Sequence, residues 1–126
     1  PAFREMNCGT LEGAEIRDIG SRLQELVRGG NEDELLFKSC GGESCDQLQN
    51  RAWSAVMEKV EKHPDATIVV VSHYFVLASI LCAALGIPAT QLGRFRMGAT
   101  SICIVSFDSY GPFLSLFNDR GHLAPA

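Results

Sequence analysis

The chain has 126 residues, one domain's worth, and its 46% apolar and 21% charged fractions are those of an ordinary globular fold with a sizeable core. A formal net charge of −4 argues against nucleic acid or an anionic membrane as a partner, so an anionic ligand has to be held by a local cluster of donors. The five cysteines, at 8, 40, 45, 82 and 103, show neither Cys-x-x-Cys nor a zinc-type Cys/His spacing, and suit a reducing cytoplasm.

In chain order, Glu12 to Arg28 reads as an amphipathic helix: Ile16, Ile19, Leu23 and Leu26 recur at helical spacing, and Gly29-Gly30 stops it. Asn31 to Gly42 is polar and glycine-containing, hence a loop. Ser44 opens the clearest helix, with Gln47 three residues on completing a capping box. Leu48, Ala52, Val56 and Val60 form its apolar stripe, and Pro64 ends it. Ile68 to Val71 is a run of β-branched residues, the pattern of a strand covered on both faces. Tyr74 to Leu85 is an apolar helix closed by Gly86 and Pro88, too short to span a bilayer. Ser101 to Phe107 and Pro112 to Phe117 read as two strands joined by the turn Asp108-Ser109-Tyr110-Gly111. No repeat or linker divides the chain, so residues 1–126 form a single α/β domain.

The chemistry gathers at Ser72-His73. A strand that stops at an ionisable histidine and enters a helix puts that histidine where open α/β sheets bind ligands, beside the positive end of the helix dipole. His73 there is either a phosphate donor or a strand cap bonded to a backbone carbonyl. His63 sits at a helix end, where it offsets the dipole, and His122 lies in the terminal tail.

Three further stretches stand in order around it: Glu5; the glycine-punctuated turn Gly9-Thr10-Leu11-Glu12-Gly13; and Gly41-Gly42-Glu43-Ser44 with Arg51 following. Together with Ser72-His73 this ordered set resembles the histidine phosphatase superfamily, the phosphoglycerate-mutase-like proteins. The resemblance implies a three-layer sandwich with a mostly parallel sheet flanked by helices. It also implies a nucleophilic histidine in an Arg-His-Gly motif at the end of a central strand, and this chain contains no such motif. The chain starts at Pro1 without a methionine, so we expect it to be the C-terminal part of such a domain. Its missing central strand would be supplied by upstream residues or by another chain, as in a homo-oligomer.

The resemblance further implies a phosphomonoester hydrolase acting on a small phosphorylated metabolite through a phosphohistidine, with no metal and no cofactor. Glu5 would protonate the leaving oxygen and then activate water, and His73 would hold the phosphoryl oxygens. Tyr74 stands where the family usually has glycine, and so would line the pocket. Arg94 and Arg96 are either contacts for a second anionic group or a solvated basic turn. Arg51 reads as a helix-surface residue, and Glu43 as either a loop partner or a substrate contact. The mutase branch reads Glu-Arg-His-Tyr-Gly where this chain has Glu5-Met6-Asn7-Cys8-Gly9, which favours a phosphatase over a cofactor-dependent phosphoglycerate mutase. Two other classes compete: a non-catalytic anion-binding pseudophosphatase, and a thiol protein using Cys40 and Cys45, whose spacing also permits a disulfide.

Overall fold

The computed structural model describes residues 2–15, 17, 18, 20, 21, 24 and 40–123. Most of the helix expected over 12–28, and the loop over 31–39, lie outside the described residues. A short 3-10 turn, Gly9–Leu11, comes first, and Glu12 terminates it in extended backbone instead of opening a helix. Residues 17, 18, 20, 21 and 24 are helical, so helix begins later than the apolar spacing indicated.

Helix α1 spans Cys45–Lys62 and begins as the capping box requires. The Gln47 amide donates to Ser44 Oγ at 3.1 Å, and the Ser44 amide donates to Gln47 Oε1 at 2.9 Å. Cys45, Leu48 and Ala52 are buried, while Val56 and Val60 are half-buried towards the helix end. Lys59 and Lys62 complement the C-terminal end of the dipole, and Lys62 also pairs with Glu58 one turn back at 2.7 Å.

Helix α2, Tyr74–Ala84, is buried on nearly every side, with Val76, Ala78, Ser79, Ile80, Leu81, Cys82 and Ala84 all enclosed. Its one polar interior side chain, Ser79, donates to the Val76 carbonyl at 2.8 Å, so no hydroxyl is left unpaired in the core. A 3-10 segment, Ala89–Arg94, follows Pro88 and buries Leu92. Met6, Cys45, Leu48, Ala52, Val76, Ala78, Cys82 and Leu92 form one core in which α1, α2, this segment and the N-terminal loop meet. Full burial of a leucine such as Leu48 contributes about 2 kcal/mol.

Strands β1, Ile102–Asp108, and β2, Gly111–Asp119, form an antiparallel hairpin with Asp108 opposite Gly111 and Val105 opposite Leu114. The register shifts between Ile102 and Val105, which bends the ribbon. Asp108 Oδ1 accepts the Tyr110 amide at 2.8 Å and closes the turn, as the sequence led us to expect. The Trp53 ring lies 6.2 Å from that of Phe107 at an interplanar angle of 18°, stacking α1 against β1.

Two expectations need correction. Ile68 to Val71 joins no strand ladder among the described residues, and the side chains of Val69 and Val71 are 80% and 90% exposed. The sheet among these residues is two-stranded and antiparallel, where a mostly parallel sheet was expected. A strand exists only through a partner's backbone. The apolar pattern at 68–71 is that of a covered strand, and nothing among the described residues covers it. Ile102, Ile104 and Phe107 of β1 are exposed as well.

Candidate active site

The glycine motifs that stand apart in the sequence touch in space. Gly9 has φ +60, and a Cβ there would lie 2.0 Å from the Cys40 carbonyl oxygen and 2.6 Å from the Gly42 nitrogen. Only glycine permits both that backbone and that approach. The Thr10 amide donates to the Cys40 carbonyl at 2.9 Å, and the Glu43 amide to the Asn7 carbonyl at 2.8 Å. Asn7 Oδ1 in turn accepts the Gly9 amide at 2.8 Å.

Immediately before this junction runs the segment carrying Glu5. Its backbone carbonyls are taken one after another by side chains from elsewhere. Arg51 donates to the carbonyls of Ala2 at 2.5 Å, Arg4 at 2.9 Å and Glu5 at 3.1 Å. Ser72 Oγ donates to the Phe3 carbonyl at 2.7 Å. Arg51 is held from behind by Glu43, with Nε to Oε1 at 2.5 Å and Nη2 to Oε2 at 2.9 Å. Burial pushes the Glu43 carboxyl up, but the Arg51 hydrogen bond, the Asn7 amide and the charges of Arg51 and Arg4 together hold it below the usual carboxylate range. Arg51 and Glu43 are therefore loop partners, and the contacts of Arg51 from α1 leave its side chain mostly enclosed. Ser72 adjoins His73, so the bond to Phe3 brings the Glu5 segment beside His73.

His73 is exposed and forms the N-cap of α2 without a side-chain cap bond. Its carbonyl accepts the Leu77 amide at 3.0 Å, the first bond of the helix. Glu5 is half-buried; its Oε1 accepts the Met6 amide at 2.8 Å, and the Met6 side chain is buried in the core. The Tyr74 hydroxyl is engaged by protein: it donates to the Phe95 carbonyl at 3.0 Å. Burial raises the Tyr74 pKa, and the nearby Arg96 charge partly offsets this. Tyr74 thus ties the segment between Arg94 and Arg96 to the start of α2. Arg94 is exposed and makes a long 3.4 Å contact with Gln91, whereas Arg96 has no ion-pair partner among the described residues.

Two features escaped the sequence reading. Arg51 reaches carbonyls 46 to 49 positions away, which no local pattern encodes. Arg120 packs against Gly98, where a Cβ would come within 2.9 Å of its side chain, adding a third arginine near the 94–98 segment. The thiols contribute little: burial, then the Glu12 and Glu5 carboxylates, push Cys8 up, and burial pushes Cys82 up to about 11. No helix among the described residues is long and apolar enough to cross a membrane.

This arrangement can be set against known proteins. Residues 1–120 match the sequence profile of the Histidine phosphatase superfamily (branch 1). The chain belongs to this superfamily. It is 24% identical over 119 residues to Phosphoserine phosphatase 1 of Hydrogenobacter thermophilus, covering 94% of the chain and 56% of that protein. It is 28% identical over 134 residues to the Probable phosphoglycerate mutase GpmB of Salmonella paratyphi A, covering 98% of the chain and 60% of that protein. A crystal structure of a histidine-to-alanine phosphoserine phosphatase variant from Entamoeba histolytica, in complex with phosphoserine, superposes with a TM-score of 0.79 at 25% identity. That match covers 98% of this chain and 62% of the other, and it supports an α/β fold of the histidine phosphatase kind. The chain therefore spans less than two thirds of the length of each of these relatives.

Proposed function

We propose that the protein containing this chain is a phosphomonoester hydrolase of the histidine phosphatase type, acting on a small phosphorylated metabolite in the cytoplasm. The observation that supports this reading is the Ser72–Phe3 bond, which joins the residue before His73 to a carbonyl two positions before Glu5, at the N-terminus of α2. Brought to one corner, the Glu5 carboxyl, His73 and the N-terminus of α2 would supply a proton donor, a cationic donor and backbone amides for a phosphoryl group. A histidine upstream of residue 1 attacks phosphorus and forms the phosphohistidine. Glu5 gives its proton to the leaving oxygen and then accepts one from the hydrolytic water. His73 neutralises charge on the equatorial oxygens. The reaction draws on cationic side chains and needs neither metal nor cofactor.

In this reading the chain supplies the C-terminal part of a three-layer sandwich, and the exposed apolar residues at 68–71 and along β1 support a central strand between them. That strand comes from upstream residues or from a second chain. The named relatives favour a substrate carrying a carboxylate near its phosphate, and Arg96 and Arg94, exposed on either side of the Tyr74 partner Phe95, are our candidates to meet it.

A mutase reading has the GpmB similarity behind it. Against it, Met6 is buried, Asn7 is bonded to the Gly9 amide and the Cys8 thiol meets the Met6 carbonyl at 3.6 Å. The Met6 side chain is turned into the core, and those of Asn7 and Cys8 into their own loop. The test is hydrolysis of a generic phosphomonoester by the full-length protein with a chelator present. His73→Ala and Glu5→Gln are each expected to cost roughly tenfold to a thousandfold. Turnover abolished by chelator, with both variants fully active, would refute the mechanism; no turnover at all would favour the pseudophosphatase.

A further inference from the structure

A proton donor has to be aimed. Glu5 has no rigid element of its own: it lies in an irregular segment ahead of the Gly9–Leu11 turn. Four consecutive carbonyls, Ala2 to Glu5, are nevertheless fixed by side-chain donors, three of them by the one guanidinium of Arg51. The Nε and Nη2 groups of that guanidinium are also engaged by the two oxygens of Glu43, which is 9% exposed. On the far side of Glu5 the backbone enters the core at Met6. Arg51 stands on the rigid α1 helix, and Ser72 stands next to His73. The loop is thereby referenced both to a stable scaffold and to the phosphate corner.

We infer that Arg51, braced by Glu43, is the positioning residue that aims the Glu5 carboxyl at the leaving oxygen. The inference rests on the phosphatase reading above. In the transfer step the phosphorus–oxygen bond to the leaving group breaks as the nitrogen–phosphorus bond forms, and the Glu5 proton moves to the departing oxygen. A strongly basic alkoxide needs that proton in the transition state, whereas a nitrophenolate leaves nearly as well without it. Misaiming Glu5 therefore penalises alkyl phosphates selectively. A general loss of folded protein penalises every substrate alike.

The test uses the full-length protein and kcat/KM, which reports the steps through phosphoryl transfer, for glycerol phosphate and p-nitrophenyl phosphate. Glu5→Gln is expected to lower the glycerol phosphate value at least roughly tenfold more than the nitrophenyl phosphate value. Arg51→Gln and Arg51→Lys are expected to show the same selectivity, reduced to roughly threefold to tenfold. Arg51→Gln combined with Glu5→Gln should add no further selectivity, because the two act on one step. If Arg51→Gln does not fold, Arg51→Lys and Glu43→Gln, which keep a donor and an acceptor in place, carry the same measurement. Selectivity in Glu5→Gln with equal losses on both substrates in the Arg51 and Glu43 variants would overturn the positioning role alone. Absence of selectivity in Glu5→Gln itself would overturn the assignment of Glu5 as the acid, and the positioning role with it.

Discussion

The loop at Glu5 and the segment at Ile68 to Val71 are both irregular backbone close to one site, and they are held in opposite ways. Around Glu5 the carbonyls find side-chain donors, and the glycine turns lock into one another through Gly9, Cys40 and Glu43. At 68–71 the residues are more apolar, yet Val69 and Val71 face outward with no ladder beside them. Polar loops complete themselves with groups already on the chain, while a β-branched run is completed only by another strand. The difference separates a half of the site that the described residues complete by themselves from a half that we expect to depend on what lies against it.

The sharpest way to break the self-completed half is Gly9→Ala. The left-handed backbone there costs about 1–2 kcal/mol for a residue with a Cβ, and the approach to Cys40 and Gly42 adds an overpacking penalty of about 1–3 kcal/mol. We expect a loss near 4 kcal/mol in urea unfolding of the full-length protein. Gly13→Ala is the internal control: it too has positive φ, +85, but no neighbour within 4 Å, so only about 1 kcal/mol should be lost. Equal effects at the two glycines would mean that the loop junction does not bear on stability.

The dependent half is probed by Val69→Lys. With the side chain 80% exposed, as here, the change should stay within about 0.5 kcal/mol. If a strand covers this segment in the full-length protein, an unpaired lysine is forced into the sheet layer and the loss rises to roughly 3 kcal/mol. We expect the larger figure. A neutral result by urea unfolding would remove the argument for a covering strand.

The smallest effect distinguishes the two halves by pH. The Glu43 pKa is lowered in the fold from its ordinary 4.5, so its contribution to stability is complete above that value and is lost as pH falls through the lowered folded value. Wild-type protein should therefore lose stability below about pH 4.5 more steeply than Glu43→Gln, with no such difference near neutrality. Parallel curves would show that the Arg51–Glu43 pair does not brace the loop.

These contrasts also mark what the sequence could tell. The Ser44–Gln47 box, α2 with its stop at Gly86 and the hairpin turn at Asp108 are written in neighbouring residues, and each forms as read. The pairing of Gly9 with Gly42 and the reach of Arg51 to Ala2 are long-range contacts, and only the order of the motifs hinted at them. The 3-10 segment at Ala89–Arg94 was missed because Pro88 and a mixed composition carry no clear period. Ile68 to Val71 has the composition of a covered strand, but among the described residues it neither joins a ladder nor is buried, because a β-branched run needs a neighbouring backbone that local sequence does not specify. For the site, motif order is what singles out His73 and Glu5 as candidates. The engagement of Tyr74 with Phe95 was not, because a hydroxyl's partner is decided by packing.

The most direct test of the central claim is a crystal structure of the full-length protein with orthovanadate, which mimics a phosphoryl group in transfer. The account predicts the vanadate at the open end of α2, within hydrogen-bond reach (about 3 Å) of His73 and of the Glu5 carboxyl. It also predicts a strand from upstream residues or a second chain alongside Ile68 to Val71. Vanadate bound away from α2, or His73 and Glu5 on opposite sides of the sheet, would contradict it.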